Sequence, residues 1–314
     1  MNLKGLGVAI ITPFKEDFSV DFRALTKLIN HVIDGGVDYI VSLGTTGESV
    51  VLNNQEKASV IEHTINTVEK RVPICLGIGG NNTMAIVDKI KKTNFSNISA
   101  ILSVSPYYNK PSQEGIFLHY KLISESSNVP IILYNVPGRT SSNIEASTTL
   151  KLASKFSNII GIKEASGDLR QISEIIKNKP KNFNVVSGDD DLTNQIIKNG
   201  GDGVISVVGQ CFPKLFSKMV HEALNKNFSI SDKISFELSY FIKSLFKNGN
   251  PSGIKSALNH LNICKNVLRL PLTSLKNDDF NELISELTRI KKISKKLVWK
   301  KNWEFKNYIL SLQL

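Results

Sequence analysis

The sequence predicts an α/β fold, a (β/α)8 TIM barrel followed by a C-terminal helical domain. Three observations lead there. Eight short apolar, β-branched runs recur between Gly7 and Val207, and a stretch with helical period follows each of them. The runs are apolar throughout rather than alternating, as in a parallel sheet covered on its outer face. No G-x-G-x-x-G follows the first run, which argues against a dinucleotide-binding sheet, and after about Phe212 the strands stop.

Taken in order, the expected strands are Gly7–Ile11, Tyr39–Leu43, Pro73–Gly77, Ala100–Val104, Pro130–Tyr134, Ile159–Ile162, Asn184–Ser187 and Gly203–Val207. Helical periodicity marks Phe22–Asp34, Gln55–Lys70, Met84–Thr93 and Gly115–Ser124 between them. Four further helices are expected: Lys214–Asn225, Asp232–Phe246, Ser252–Leu268, and one from Asp278 onward. Pro251 and the segment Arg269-Leu270-Pro271 mark breaks. The expected division is a barrel over residues 1–225 that carries the active site and a helical domain over 226–314.

Composition bounds the function. Of 314 residues, 41% are apolar and 21% charged, which suits a globular chain with a sizeable core and excludes wholesale disorder. No window of 18 apolar residues exists to cross a membrane, and the run Val8–Ile11 is too short for a signal peptide. Cys75, Cys211 and Cys264 form no C-x-x-C pair, so buried thiols in a reducing cytoplasm are expected. The net charge of +11 raises the question of nucleic acid, but only six of the 39 basic residues are Arg, and the lysines are spread along the chain. The cluster from Lys291-Lys292 to Lys300-Lys301 reads as the solvated face of a late helix. A bias toward Lys, Asn and Ile explains the excess better than base recognition does.

In a barrel of this kind, chemistry sits at the C-terminal ends of the strands. There the chain places Gly44-Thr45-Thr46-Gly47-Glu48, Pro106-Tyr107-Tyr108-Asn109, Asn135-Val136-Pro137-Gly138-Arg139, Lys163-Glu164-Ala165 and Gly188-Asp189-Asp190. Lys163 ends an apolar strand, so its stem should enter the barrel mouth. A nucleophilic amine must be unprotonated, and burial disfavours the ammonium form. By position alone, an ordinary barrel-end lysine paired with Glu164 or an Asp fits equally well. Tyr134 should be its neighbour, either shuttling protons or packing the rim. Thr45 and Thr46, ahead of an Asn53/Glu56 capping box, suit a small carboxylate or a plain turn. Arg139 on the same face suits a second carboxylate. The five histidines show no metal-ligand spacing, and no G-x-S-x-G elbow is present. What remains is a metal-free set of an amine, hydroxyls and one guanidinium.

Read together, Gly44-Thr45-Thr46-Gly47-Glu48-Ser49, the stretch from Ser105-Pro106-Tyr107-Tyr108 to Gly115, Tyr134-Asn135-Val136-Pro137-Gly138-Arg139-Thr140 and Gly161-Ile162-Lys163-Glu164-Ala165 resemble the signatures of the 4-hydroxy-tetrahydrodipicolinate synthase (dihydrodipicolinate synthase) family. The resemblance runs from about Gly5 to Leu275 in order and spacing. It implies a class I, pyruvate-dependent lyase of lysine and diaminopimelate biosynthesis that needs no cofactor. Lys163 matches the lysine that forms the Schiff base with pyruvate. Tyr134 matches the proton-shuttling tyrosine, and Thr45 the threonine linking it to a second tyrosine. That second tyrosine corresponds to Tyr108, which in the family enters the neighbouring subunit's site, so a homotetramer built of dimers is implied. Thr46 and the backbone of Ile205 match pyruvate contacts, and Arg139 the arginine that receives L-aspartate 4-semialdehyde.

Two departures stand out. Where lysine-inhibited members tend to carry His and Glu, this chain has Lys57 and Ala85, near Ser49, Asn81 and Tyr107. Weak or absent lysine inhibition is expected. The tail beyond about Lys295 is longer than the family resemblance leads one to expect, with Trp299, Trp303 and Phe305 reading as a docking helix. The rival readings are a sibling aldolase acting on N-acetylneuraminate or a 2-keto-3-deoxy sugar acid, and a catalytically inactive binding protein on the same barrel. The Thr45-Thr46 pair and Arg139 favour the synthase over the siblings.

Overall fold

Apolar strands buried on both faces close into a cylinder. The structure, a computed structural model, describes residues 1–299. Its strands are β1 (Gly5–Ala9), β2 (Tyr39–Ser42), β3 (Ile74–Gly77), β4 (Ala100–Val104), β5 (Ile131–Asn135), β6 (Ile159–Glu164), β7 (Asn184–Ser187) and β8 (Gly203–Ser206). Each pairs in parallel with the next, and β8 returns to β1. The seam brings Gly5 opposite Gly203, where a Cβ on Gly203 would lie 2.1 Å from the Gly5 carbonyl oxygen. Only glycine permits so close an approach.

Alternation along the strands sorts the core into two layers. Leu6, Val8, Ile40, Ile101, Leu133, Ile162, Val185 and Val204 face outward into the helices. Ala9, Tyr39, Val41, Cys75, Leu102, Ile132, Tyr134, Val186 and Ile205 fill the barrel, with Leu3 among them. A register shift at Ile131/Ile132 against Ile159/Gly161 re-phases β6, so Ile160 packs against the inner cluster and Lys163 still pairs with Tyr134.

The covering helices are α1 (Phe22–Asp34), α2 (Asn54–Val68), α3 (Thr83–Lys92), α4 (Gln113–Ser126), α5 (Pro137–Thr140), α6 (Ala146–Lys155), α7 (Leu169–Asn178) and α8 (Thr193–Lys198). The later ones are α9 (Pro213–Leu224), α10 (Phe228–Phe246), α11 (Ser252–His260) and α12 (Asn277–Trp299). Local chemistry starts several of them: Asp21, Asn82, Ser112 and Asp168 each accept a first-turn backbone N–H. Asn53 and Glu56 form the expected capping box on α2. Ile234, Leu238, Phe241, Leu283 and Leu287 of α10 and α12 join the same apolar cluster as the barrel helices.

The expected elements are present with shifted ends. The first strand stops at Ala9, two residues early, where the Ile11 N–H turns to the Gln210 side chain at 2.9 Å while Ile10 and Ile11 stay buried. Helix α10 begins at Phe228, and α11 ends at His260 rather than running to Leu268, with Asn262 in the left-handed region (φ +57°). Lys291 and Lys292 are exposed on α12, while Trp303 and Phe305 lie outside the described residues. Among the described residues no helix is long and apolar enough to cross a membrane.

Candidate active site

The parity of β5 and β6 puts Tyr134 and Lys163 side by side in the barrel mouth. They are Cα partners, both are buried, and the Lys163 Nζ lies 4.4 Å from the centre of the Tyr134 ring. Glu164, one residue on, points to the other face of the strand. It accepts from Asn135 Nδ2 (3.1 Å), Gln171 Nε2 (3.1 Å) and the Ser166 N–H (2.7 Å), so it does not pair with Lys163. Burial pushes its carboxyl up, and those hydrogen bonds oppose the shift. Gly188 leaves the space beside the lysine: a Cβ there would come within 3.0 Å of Lys163 Cε.

A cavity of about 350 Å³ opens over Lys163, lined by Ala9, Thr45, Thr46, Tyr134, Arg139, Gly188, Asp189, Lys243, Phe246 and Asn250, among others. Thr45 and Thr46 form a 3-10 turn with Gly47. Thr46 is buried, and its hydroxyl oxygen accepts from Asn250 Nδ2 at 2.8 Å, which leaves its own proton free to donate. Thr45 is exposed to the cavity. Arg139, on the short helix α5, is exposed and makes no side-chain hydrogen bond or ion pair among the described residues. Ile205 lies buried in β8 opposite Gly7. One wall was not foreseen from the sequence: Asn250 and Lys243 arrive from beyond the barrel. Asp189, at the end of β7, carries a carboxyl pushed up by burial. Its place after a strand was the only signal it offered.

Tyr108 stands apart. It follows β4 with φ +77°, and it is 87% exposed, outside the cavity that holds Lys163. A second cavity of about 550 Å³ meets the first at Gly44, Thr45, Tyr134 and Arg139 and extends to Ser49, Lys57, Gly79, Lys89 and Tyr107. Among the described residues no carboxylate lines it. Burial pushes the thiols of Cys75, Cys211 and Cys264 up, which makes them inert. Among the described residues no group of three His, Cys, Asp or Glu is placed to hold a metal ion.

Fold and site together define a barrel enzyme with a buried amine, a phenol against it and an unpaired guanidinium at the mouth. Residues 2–290 match the Dihydrodipicolinate synthetase family model. The 4-hydroxy-tetrahydrodipicolinate synthase of Flavobacterium psychrophilum is 51% identical over 279 residues, 89% of this chain and 95% of the relative. The solved 4-hydroxy-tetrahydrodipicolinate synthase from the thermoacidophilic methanotroph Methylacidiphilum fumariolicum SolV superposes with a TM-score of 0.91 at 36% identity, covering 94% of this chain and 98% of that one. The chloride-inhibited dihydrodipicolinate synthase from Acinetobacter baumannii, solved in complex with pyruvate, gives 0.89 at 36% identity over 92% and 99%. The chain belongs to the dihydrodipicolinate synthetase family.

Proposed function

We propose that the chain is a lyase that condenses pyruvate with L-aspartate 4-semialdehyde to 4-hydroxy-tetrahydrodipicolinate, in diaminopimelate and lysine biosynthesis. The observation that carries this reading is the Lys163 amine, buried in the barrel mouth 4.4 Å from the Tyr134 ring. The relatives' names supply the reaction, and the Acinetobacter baumannii structure was solved with pyruvate.

In this reading Lys163 attacks the pyruvate ketone, and loss of water gives an iminium ion. The iminium withdraws electrons, a proton leaves the methyl group, and the enamine carbon attacks the semialdehyde. The substrate's amino group then closes the ring on the imine carbon and releases Lys163 as the free amine. Thr46 donates its free hydroxyl proton to the pyruvate carboxylate, and the backbone of Ile205 floors that pocket. Tyr134 moves protons at the reacting carbon and oxygen. Thr45 and the Tyr108 of a second subunit complete the relay, and Arg139 takes the carboxylate of the semialdehyde. The Tyr108 ring, exposed at 87% in one chain, is available for that exchange, so we place the reaction in a homotetramer of two dimers. A cytoplasmic setting agrees with three cysteines that are all unpaired and buried.

The test is pyruvate-dependent consumption of L-aspartate 4-semialdehyde through a downstream reductase, with borohydride trapping of the pyruvate adduct, in the native enzyme and in Lys163→Ala. Activity and an adduct that both vanish in the variant are expected. An adduct without semialdehyde turnover would point to a sibling aldolase, and no adduct would overturn the reading.

A further inference from the structure

The inference rests on the condensation reading and concerns how its threonine turn is held. Three consecutive residues at that turn are gripped by groups from two distant parts of the chain: Thr12 after β1, and Asn250 and Lys255 at the start of α11. The Thr46 hydroxyl accepts from Asn250 at 2.8 Å, and the Gly47 carbonyl accepts from the Thr12 hydroxyl at 2.7 Å. The Glu48 carboxylate is ion-paired with Lys255, both side chains being fully buried, and its second oxygen accepts the Arg269 N–H at 3.3 Å. Lys255 also donates to the Val267 carbonyl at 2.9 Å and lies 4.0 Å over the ring of Phe14. Glu48 adopts φ +51°, a conformation that a residue with a Cβ takes up only under constraint.

Such a pair is a poor device for stability alone. Taking both charges out of water costs free energy that their attraction does not reliably return, and apolar side chains of similar size would pack the space as well. What the pair does provide is a directional hold on the residue that ends the turn. With residues 46, 47 and 48 fixed, Thr45 is the one whose hydroxyl is unbonded among the described residues, and it lines the cavity.

We propose that Lys255 is a positioning residue for the reaction: from the helical region beyond the barrel it acts through Glu48 to set the Thr45 hydroxyl against Tyr134. Lys255 lines neither cavity, and its ion pair with Glu48 is its link to the turn. The test is a double-mutant cycle on kcat and KM with K255M, T45V and the double variant, each with a thermal melt. K255M is expected to lower kcat by roughly 10- to 100-fold, the cost of misplacing a reacting group by about an ångström. In the T45V background that penalty should shrink below about threefold, while the melting shift stays the same. Equal penalties in both backgrounds would overturn the proposal. Should K255M not fold, E48Q, which keeps size and one accepting oxygen, enters the same cycle with the same expectation and the same overturning result. A native enzyme without a borohydride-trapped pyruvate adduct overturns the condensation reading instead, whereas an adduct with additive penalties overturns this inference alone.

Discussion

Lys163 and Tyr134 are Cα partners across the β5–β6 seam, and the amine rests against the ring face rather than against a carboxylate. The ring walls one side of the amine, and the phenol oxygen at its edge is left to reach a substrate bonded to the lysine. Tyr134→Phe keeps the wall and removes the proton carrier. It is expected to retain borohydride trapping of pyruvate while kcat falls by roughly 10²- to 10⁴-fold. Turnover unchanged in the variant would remove Tyr134 from the relay.

Gly188→Ala should strike the same amine from the other side. The added methyl carbon would meet Ala165 Cβ at 2.7 Å and Lys163 Cε at 3.0 Å, so the lysine stem must move. Overpacking of this size costs about 1–3 kcal/mol, and the larger effect is expected on rate, at least about tenfold. Melting curves alongside the kinetics separate the two. A variant of native activity would show that the stem yields freely.

Much of this was legible in the chain itself. Lys163, Tyr134, Thr45, Thr46 and Arg139 all stand at or shortly beyond the ends of apolar runs, and a barrel gathers strand ends in one place. The Asn53/Glu56 capping box is local and was readable for the same reason that helix starts are. Asn250 was not readable: its partner Thr46 is 204 positions away, and periodicity records nothing of a pairing at that range. The buried Lys255–Glu48 pair was hidden likewise, since a lysine in a polar helix pattern gives no sign that it will be wholly covered. The apolar run places the end of the first strand two residues late, because Ile10 and Ile11 continue it into a buried loop.

Tyr108 makes a prediction about assembly. If its exposed ring completes a neighbour's site, Lys163→Ala and Tyr108→Ala subunits fail separately for different reasons. Mixed under conditions that exchange subunits, they should regain activity above either parent, because one hybrid site carries both native residues. A mixture no more active than its parents would make the site complete within one chain.

Lysine titration probes the larger cavity. Lys57 and Lys89 line it together, no carboxylate does among the described residues, and burial with the neighbouring Lys57 charge holds the Lys89 ammonium below its usual range. A ligand carrying two ammonium groups meets like charge and finds no acidic partner there. Inhibition by L-lysine should therefore be absent below the millimolar range. A sub-millimolar inhibition constant would contradict that.

His119 sets an acid limit to stability. It is buried between α3 and α4, bonded through Nδ1 to the Thr83 hydroxyl at 2.8 Å, and burial pulls its pKa from 6.5 down to about 4. As pH falls below 6.5 the unfolded chain takes up the proton first, so stability present at pH 7 is lost progressively toward pH 4, by about 3 kcal/mol in all. Melting temperature should drop between pH 7 and 5 more steeply in the native protein than in His119→Gln. Parallel curves would place the acid sensitivity elsewhere.

The glycine seam has a consequence for synthesis. As the chain leaves the ribosome, β1 emerges first and finds its second neighbour only when residue 203 follows. Until then a growing sheet carries two open edges, each a template for pairing with another nascent chain. A messenger truncated just before β8 would yield a product with every early helix encoded and no closed cylinder, destined for chaperones or aggregates. Completion of one glycine contact ends that vulnerable interval.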